Sequence, residues 1–260
     1  AGVGAGALTR VQRAQVFEAH EWGRCGLHFE QRIPLREVDV FEVGTGPNDI
    51  MIWIICALRG LRHMSTQPSV KVALAQINAT VGDFSGNVRR IVDAARTAYA
   101  QGARLVLSPE LGICGYPPED LLLRPAFMQA CAAAVDACAR ALADLPGLFV
   151  VVGHAHQFGE SGDIRSKSWA VPQRFNAATV LNAGRIVGTY CKRELPNYQV
   201  FDERRYFASG RDAGFAPVVF EVQGLRFGLN ICEDAWFDEP ALAAKLGGAD
   251  VLCVLNASPF

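Results

Sequence analysis

Cys232 has the clearest chemical potential in this sequence, because of the residues that surround it. A run of apolar residues ends at Ile231, and the cysteine leads directly into Glu233 and Asp234. A structural cysteine at the end of a strand acts as a small hydrophobe and is usually followed by more apolar residues. For an isolated cysteine that structural interpretation is the better one. A catalytic interpretation requires partners that activate the thiol.

Glu110 and Lys192 supply such partners. Glu110 follows the apolar run 105–107, and Lys192 follows the apolar run 186–191. Each alone is better explained as a solvated charge at the end of a strand. A thiol with a pKa of about 8.5 is mostly protonated at neutral pH, so it needs a base. A carboxylate can accept its proton, while an ammonium and the backbone N–H of Glu233 can stabilise the anion formed when a carbonyl is attacked. Together the three residues predict an acyl-transfer site.

The histidines and the other cysteines offer weaker alternatives. His154 and His156 alternate at the end of a strand, with no carboxylate or cysteine nearby in sequence. A Cys–His dyad is therefore the weaker proposal, and a metal site has no evident third ligand. The eight cysteines include no Cys-x-x-Cys pair, which argues against a zinc ribbon or a redox couple. We expect no metal ion, and we expect a reducing, cytoplasmic compartment.

The composition excludes two classes of partner. A formal net charge of −1 over 260 residues gives no electrostatic basis for binding nucleic acid or an anionic membrane. No apolar run approaches the roughly 18 to 20 residues that cross a bilayer. We therefore expect neither nucleic acid nor a membrane as a partner.

The elements that must position these residues alternate in type along the chain. Apolar residues at helical spacing predict helices at 87–101, 125–145 and 240–246. Apolar runs predict eight strands, of which the fourth and fifth, and the sixth and seventh, form hairpins. These strands span residues 70–77, 105–107, 149–152, 177–181, 186–191, 218–222, 225–231 and 251–255. Strand–helix units followed by hairpins predict an α/β fold in which helices cover a mixed sheet.

Residues 1–63 differ in composition from the rest of the chain. They show no sustained helical or strand period, although residues 50–58 are apolar enough for a short buried helix or strand. Met64 precedes the first clear strand, so we interpret it as the natural start. The sequence thus predicts a disordered or non-native extension at 1–63 and a domain at 64–260.

Three long motifs in the domain are recognisable. They are Gly115-Tyr-Pro-Pro-Glu-Asp-Leu-Leu122, Leu195-Pro-Asn-Tyr-Gln-Val-Phe-Asp-Glu-Arg-Arg-Tyr-Phe207 and Asn230-Ile-Cys-Glu-Asp-Ala-Trp236. Because Glu110, Lys192 and Cys232 also match a Glu-Lys-Cys triad in order and setting, the chain resembles the nitrilase, or carbon–nitrogen hydrolase, superfamily. Within it, the motifs resemble the glutaminase domain of glutamine-dependent NAD synthetases. The likeness runs from about Val70 to Phe260.

The resemblance implies a four-layer α-β-β-α sandwich with the triad at its strand ends. It implies that Cys232 attacks glutamine to form a thioester and release ammonia, after which water releases glutamate. Glu203 matches a second active-site glutamate of the superfamily. The same matching predicts a glutamine pocket lined by Tyr116, Tyr198, Glu233 and Ser258. For Glu233 the physical reason is that a carboxylate suits the α-ammonium of glutamine. For Tyr116 and Tyr198, packing at the rim of the site is an equally good explanation.

The chain departs from the family pattern in two ways. It stops at Phe260, where the glutaminase domain of the family continues, so we expect a fragment with an incomplete sandwich and an exposed sheet edge. It also lacks the Ser-Gly-Gly-x-Asp-Ser loop that binds ATP. We therefore expect no cofactor in this chain, and ATP and Mg²⁺ only in a synthetase (ligase) domain that is its partner in the full-length protein. The resemblance further implies a homo-oligomer.

Two alternatives remain open from the sequence. One is a free-standing nitrilase-type amidase that acts on a small amide or carbamoyl compound. The other is a catalytically inactive fragment that serves as an interaction scaffold.

Overall fold

Two β-sheets form the frame of the protein. A computed structural model describes residues 38–44, 53–55, 70–158 and 173–257. The strands are β1 (Val38–Gly44), β2 (Trp53–Ile55), β3 (Val70–Gln76), β4 (Leu105–Leu107), β5 (Phe149–Gln157), β6 (Arg174–Asn182), β7 (Arg185–Cys191), β8 (Val219–Val222), β9 (Leu225–Ile231) and β10 (Val251–Leu255). The helices are α1 (Phe84–Ala100), α2 (Pro125–Ala141) and α3 (Asp238–Leu246). The α/β class predicted from the sequence is confirmed.

The sheets have different sizes and the same mixed character. The larger has the strand order β1-β3-β4-β5-β6-β7, and the smaller has the order β2-β10-β9-β8. Strands β1, β3, β4 and β5 are parallel, whereas β6 is antiparallel to both β5 and β7. In the smaller sheet β9 is parallel to β10 and antiparallel to β8. Both predicted hairpins are confirmed, because Asn182 pairs with Arg185 and Val222 pairs with Leu225.

This topology brings the chemical residues to common edges. Because β6 is antiparallel to both of its neighbours, β7 runs in the same direction as β4 and β5. Residues that follow β4 and β7 therefore leave the larger sheet at one edge. The parallel pair β9 and β10 likewise delivers the residues that follow each strand to one edge of the smaller sheet. Such carboxyl ends of parallel strands are where α/β proteins form their sites.

Three buried apolar clusters hold the elements together. One joins α1 and α2 to the larger sheet and includes Ile91, Cys131 and Val150. A second lies between the two sheets, where residues such as Val151 and Phe227 meet. A third, small cluster joins α3 to the smaller sheet. This succession agrees with the α-β-β-α arrangement, whose exact four layers stay a prediction.

Tertiary contacts shift several predicted boundaries. Helix α1 begins at Phe84 rather than at residue 87, because the Asp83 side chain accepts a hydrogen bond from the Gly86 N–H (2.9 Å) and caps the first turn. Helix α2 ends at Ala141, four residues before the predicted end. Strand β5 continues to Gln157 because its polar end pairs with β6. None of these three changes has a signal in the apolar pattern alone.

The first part of the chain also differs from its prediction. The structure places β1 beside β3 and β2 beside β10, within the region expected to be a disordered extension. Each of these two segments pairs with a neighbouring strand, and β2 falls within residues 50–58, where the sequence predicts a short buried helix or strand. The boundary between an extension at 1–63 and a domain at 64–260 stays a prediction.

Two expectations about the chain as a whole can be compared with the described residues. Within them, no helix has both the length and the apolar character that a bilayer crossing requires. Five cysteines of the same ranges are free thiols: Cys114, Cys131, Cys138, Cys191 and Cys232.

Candidate active site

Glu110 lies in the loop that follows β4, and its carboxylate is buried (1% exposed). The loop passes directly over β5 at Gly153, where a Cβ atom would lie 2.3 Å from the Pro109 carbonyl oxygen. Glycine is therefore needed at that crossing. Glu110 Oε1 accepts hydrogen bonds from Lys192 Nζ (2.8 Å) and Asn176 Nδ2 (2.7 Å). Its Oε2 accepts one from the Ala257 N–H (3.0 Å).

Lys192 follows β7 and is fully buried (0% exposed). Its ammonium group lies between two carboxylates, 2.8 Å from Glu110 Oε1 and 2.7 Å from Glu203 Oε1. The segment after Glu203 returns against the end of β7 at Gly210, where a Cβ would lie 2.4 Å from the Cys191 carbonyl oxygen. This close approach holds Glu203 and Lys192 in contact. The structure thus brings together three of the residues predicted from the sequence.

Burial and charge act in opposite directions on this buried group. Desolvation lowers the pKa of Lys192, but Glu110 and Glu203 more than compensate, and the net pKa is raised well above its usual value. Burial raises the pKa of Glu203 to about 7, with Glu110 adding to the rise and Lys192 opposing it. Lys192 therefore stays charged at neutral pH, while Glu203 is close to its titration midpoint.

Cys232 begins the short 3₁₀ helix Cys232–Trp236 immediately after β9. Its φ of +44° lies in the left-handed region, which is uncommon for a residue with a side chain and often marks a functional turn. Burial raises the pKa of the Cys232 thiol; Glu110 and Glu203 raise it further, and Lys192 opposes them. These interactions show that the thiol shares one site with the three charged groups. At neutral pH the resting thiol is protonated.

The structure describes three of the four residues predicted to line the pocket. Burial raises the pKa of the Tyr116 phenol, with further contributions from Glu110 and Glu203, so this ring lies within electrostatic reach of the carboxylates. The Tyr198 hydroxyl donates a hydrogen bond to the Glu233 carboxylate (2.9 Å) on the exposed side of Cys232. Ser258, the remaining predicted pocket residue, lies outside the described residues.

Sequence reasoning missed two buried polar residues of the site. Asn176 on β6 donates to Glu110 Oε1 (2.7 Å) and, less closely, to Glu203 Oε2 (3.5 Å). The Asp234 carboxylate, two residues after Cys232, accepts hydrogen bonds from both sheets. Asn176 immediately precedes the predicted strand 177–181, so no pattern in the sequence marks it as a buried residue of the site. In the sequence, Asp234 is simply an acidic neighbour of the cysteine.

The two histidines lie apart from this site. His154 is buried, and its ring bonds to the Thr179 hydroxyl (2.7 Å) and the Ala155 carbonyl (3.0 Å). Burial lowers the pKa of His154 to about 3, so the ring is neutral. A search of the described ranges finds no group of three His, Cys, Asp or Glu side chains that could hold a metal ion.

Comparisons with known proteins agree on one family. The model of the carbon-nitrogen hydrolase family matches residues 71–260. A glutamine-dependent NAD(+) synthetase from Xylella fastidiosa is 42% identical over 192 residues, which cover 74% of this chain and 32% of the relative. The chain thus spans about a third of the length of that relative.

Solved structures are similar in the same region. A glutamine-dependent NAD+ synthetase from Acinetobacter baumannii, in complex with ADP, superimposes with a TM-score of 0.61 at 36% identity, covering 73% of this chain and 32% of that one. An amidase from Nesterenkonia sp. AN1, a mutant that shows Michael addition of acrylamide at its active site cysteine, gives a TM-score of 0.54 at 28% identity. That match covers 68% of this chain and 63% of the amidase.

Proposed function

Because the chain belongs to the carbon–nitrogen hydrolase family, we propose that it hydrolyses the side-chain amide of glutamine and supplies the ammonia for amidation of deamido-NAD. The observation that carries this proposal is the buried Lys192 ammonium, held 2.8 Å from Glu110 and 2.7 Å from Glu203 in the site that contains Cys232. A thiol, a carboxylate and a fixed ammonium are the groups that nucleophilic attack on an amide requires. The relatives named glutamine-dependent NAD(+) synthetase support glutamine as the substrate.

The first step begins with a protonated thiol, so it requires a base. Glu110 Oε1 already accepts two hydrogen bonds, whereas Oε2 accepts one, so Oε2 has the capacity to take the proton of Cys232. The sulfur then bonds to the amide carbon, and the carbonyl electrons move to the oxygen. Lys192 uses two of its three N–H groups on described residues, which leaves the third for this oxyanion. The backbone N–H of Glu233 is the second donor.

The remaining steps return every group to its starting state. The amide nitrogen takes the proton from Glu110, the C–N bond breaks, and ammonia leaves a thioester on Cys232. Water transfers a proton to Glu110 and attacks the thioester carbon. The C–S bond then breaks, and the thiolate recovers the proton. Glutamine and water thus become glutamate and ammonia.

The pocket residues give the site its preference for glutamine. Glu233 offers a carboxylate to the α-ammonium, and Tyr198 holds that carboxylate in place through a hydrogen bond of 2.9 Å. Tyr116 packs beside the reacting groups, and Ser258 is the fourth residue of this pocket. A simple primary amide lacks the α-ammonium and gains nothing from Glu233.

The proposal includes a second catalytic domain. A relative of which this chain spans about a third supports a synthetase (ligase) domain as the consumer of ammonia, and that domain is where ATP and Mg²⁺ would act. We also propose a cytoplasmic location, which the free thiols of the described residues support. Exposed Ile186 and Val187 on β7 support association into a homo-oligomer, which light scattering of the purified protein would test.

Ammonia release from glutamine by the full-length protein tests the proposal. Cys232→Ala should abolish it, because the nucleophile is lost. Cys138→Ala is the matched control, since this thiol is buried on α2 and belongs to the apolar cluster beneath the larger sheet. With ATP, Mg²⁺ and deamido-NAD, amide-labelled [¹⁵N]glutamine should yield labelled NAD. Retained ammonia release in Cys232→Ala would refute the mechanism, and unlabelled product would refute the transfer.

A free-standing amidase is the second candidate, and the likeness to the Nesterenkonia amidase favours it. It predicts turnover of small aliphatic amides by the wild-type protein and none of glutamine. The two outcomes are mutually exclusive when both substrates are compared at equal concentration. An inactive scaffold would hydrolyse neither substrate.

A further inference from the structure

Asp234 is a buried carboxylate with all of its acceptor capacity in use. Its side chain is 0% exposed. Oδ1 accepts hydrogen bonds from the backbone N–H groups of Arg193 (2.9 Å) and Glu194 (2.8 Å). Oδ2 accepts from the Ile231 N–H (3.0 Å) and the Tyr190 hydroxyl (2.8 Å). Four donors on two oxygens fill the lone-pair positions of a carboxylate.

These four donors belong to the two segments that carry the reactive groups. Tyr190 and Arg193 lie on either side of Lys192 in the chain, at the end of β7 in the larger sheet. Ile231 and Asp234 lie on either side of Cys232, at the end of β9 in the smaller sheet. One carboxylate therefore connects the backbone that carries the ammonium to the backbone that carries the thiol.

A local capping function explains only part of this pattern. A short helix that begins at Cys232 needs an acceptor for the free N–H groups of its first turn, and the bond to Ile231 serves that need. The bonds to Arg193 and Glu194 lie 40 residues or more away in sequence and contribute nothing to the cap. They act between the sheets.

We propose that Asp234 is a positioning residue, which sets the location of the Lys192 ammonium relative to the Cys232 sulfur. This inference rests on the proposed acyl-transfer chemistry and adds to it a residue that touches neither substrate nor reacting atom. Apolar contacts between the sheets are not directional. The hydrogen bond from the Ala257 N–H to Glu110 Oε2 (3.0 Å) also crosses between the sheets, but it joins neither the Lys192 segment nor the Cys232 segment. Hydrogen bonds to a buried carboxylate are directional, so they can fix the geometry of the site.

The carboxylate is required because an amide of the same shape has half the acceptors. In Asp234→Asn the single oxygen can serve either the pair from Arg193 and Glu194 or the Ile231 N–H. The NH₂ group then faces at least one backbone N–H, which loses its partner in a buried place. Either orientation releases one of the two segments. A displacement of about 1 Å in a catalytic group can cost about 100-fold in rate.

The test compares Asp234→Asn and Tyr190→Phe in the full-length protein. Each variant is measured for kcat and KM with glutamine, and for the rate at which iodoacetamide alkylates Cys232 at pH 8. Circular dichroism and urea unfolding establish that each variant is folded. We expect folded Asp234→Asn to lose about 100-fold in kcat with KM within about threefold of wild type, and to be alkylated at least about tenfold more slowly. Tyr190→Phe keeps the three backbone bonds and should lose about five- to tenfold in kcat.

A folded Asp234→Asn that keeps kcat and the alkylation rate within threefold of wild type would overturn the proposal. A loss of activity that only follows the loss of folded protein would do the same. If Asp234→Asn does not fold, Tyr190→Phe decides: a loss of fivefold or more in kcat at unchanged KM supports the proposal, and a smaller loss overturns it. Alkylation by iodoacetamide does not require glutamine to be the substrate. A wild-type protein without glutaminase activity therefore refutes the proposed function while the positioning of Cys232 is still measured.

Discussion

Replacing Lys192 with methionine should destabilise the fold, and more strongly at pH 8 than at pH 5. Methionine fills the space of the aliphatic stem but removes the charge. Glu110 and Glu203 then share a buried site without the ammonium that lies 2.8 Å from one and 2.7 Å from the other. Removing one partner of a buried ion pair typically costs about 3–5 kcal/mol. We expect a loss in this range at pH 8.

The pH dependence follows from the carboxylates. With Lys192 present, burial and then Glu110 already raise the pKa of Glu203 to about 7, and Lys192 opposes that rise. Without the ammonium the pKa of Glu203 rises further. A carboxyl with a folded pKa above its unfolded value of about 4.3 binds more protons in the folded state. Stability therefore falls as pH rises from the unfolded pKa through the folded pKa. Each additional unit in the pKa of Glu203 lowers the free energy of unfolding by up to about 1.4 kcal/mol at pH 8 and by almost nothing at pH 5.

Urea unfolding of the full-length protein at both pH values measures these losses. Arg89→Met, which removes a positive charge from the exposed side of α1, is the matched control. It should change the unfolding free energy by no more than about 0.5 kcal/mol at either pH. An equal loss at pH 5 and pH 8 in Lys192→Met would refute the reasoning, because it would show that the pKa of Glu203 does not depend on the ammonium.

Three further predictions concern single contacts of the site. Because the Glu203 charge raises the pKa of the Cys232 thiol, Glu203→Gln should increase the rate of alkylation by iodoacetamide at pH 8, where Glu203 is ionised; a slower reaction would contradict this. Gly153→Ala places a Cβ 2.3 Å from a carbonyl oxygen of the loop after β4, so urea unfolding should show a loss of about 1–3 kcal/mol, together with a lower kcat; wild-type stability would show that the loop can move aside. Tyr198→Phe removes the hydrogen bond to Glu233 at a side chain that is 50% exposed. It should raise KM for glutamine about three- to tenfold without changing kcat or stability, and an unchanged KM would exclude this tyrosine from the pocket.

The strand-end positions of the reactive residues could be predicted from the sequence, because they depend on short-range patterns. Apolar runs that end at or shortly before these residues placed Glu110 after β4, Lys192 after β7 and Cys232 after β9. Turn residues between two such runs identified both hairpins. Their contact in space depended on the family resemblance, because no periodicity specifies how two separate sheets face each other.

The buried polar partners could not be predicted in the same way. Asn176 lies just before the predicted apolar strand 177–181, and its role depends on the Glu110 and Glu203 carboxylates, which are far away in the chain. Asp234 has the same limitation, because its donors Arg193 and Glu194 precede it by 40 residues or more. Strand β1 was missed for a related reason: its partner is β3, so pairing rather than local preference determines it. Strand β2 lies in the apolar segment 50–58, which the sequence left open as a helix or a strand until its pairing with β10 was known.

The charges of the site determine which residue must act as base. A thiolate stabilised by an ammonium would need no base, but here burial and two carboxylates raise the pKa of Cys232 despite Lys192. The ammonium is already engaged by both carboxylates, so its charge is largely neutralised within the site. Its remaining N–H is consequently more useful to an oxyanion that forms during the reaction than to a resting thiolate. In the proposed mechanism proton removal therefore coincides with attack, and Glu110 is suited to this step because, among the described residues, only the backbone N–H of Ala257 engages its Oε2.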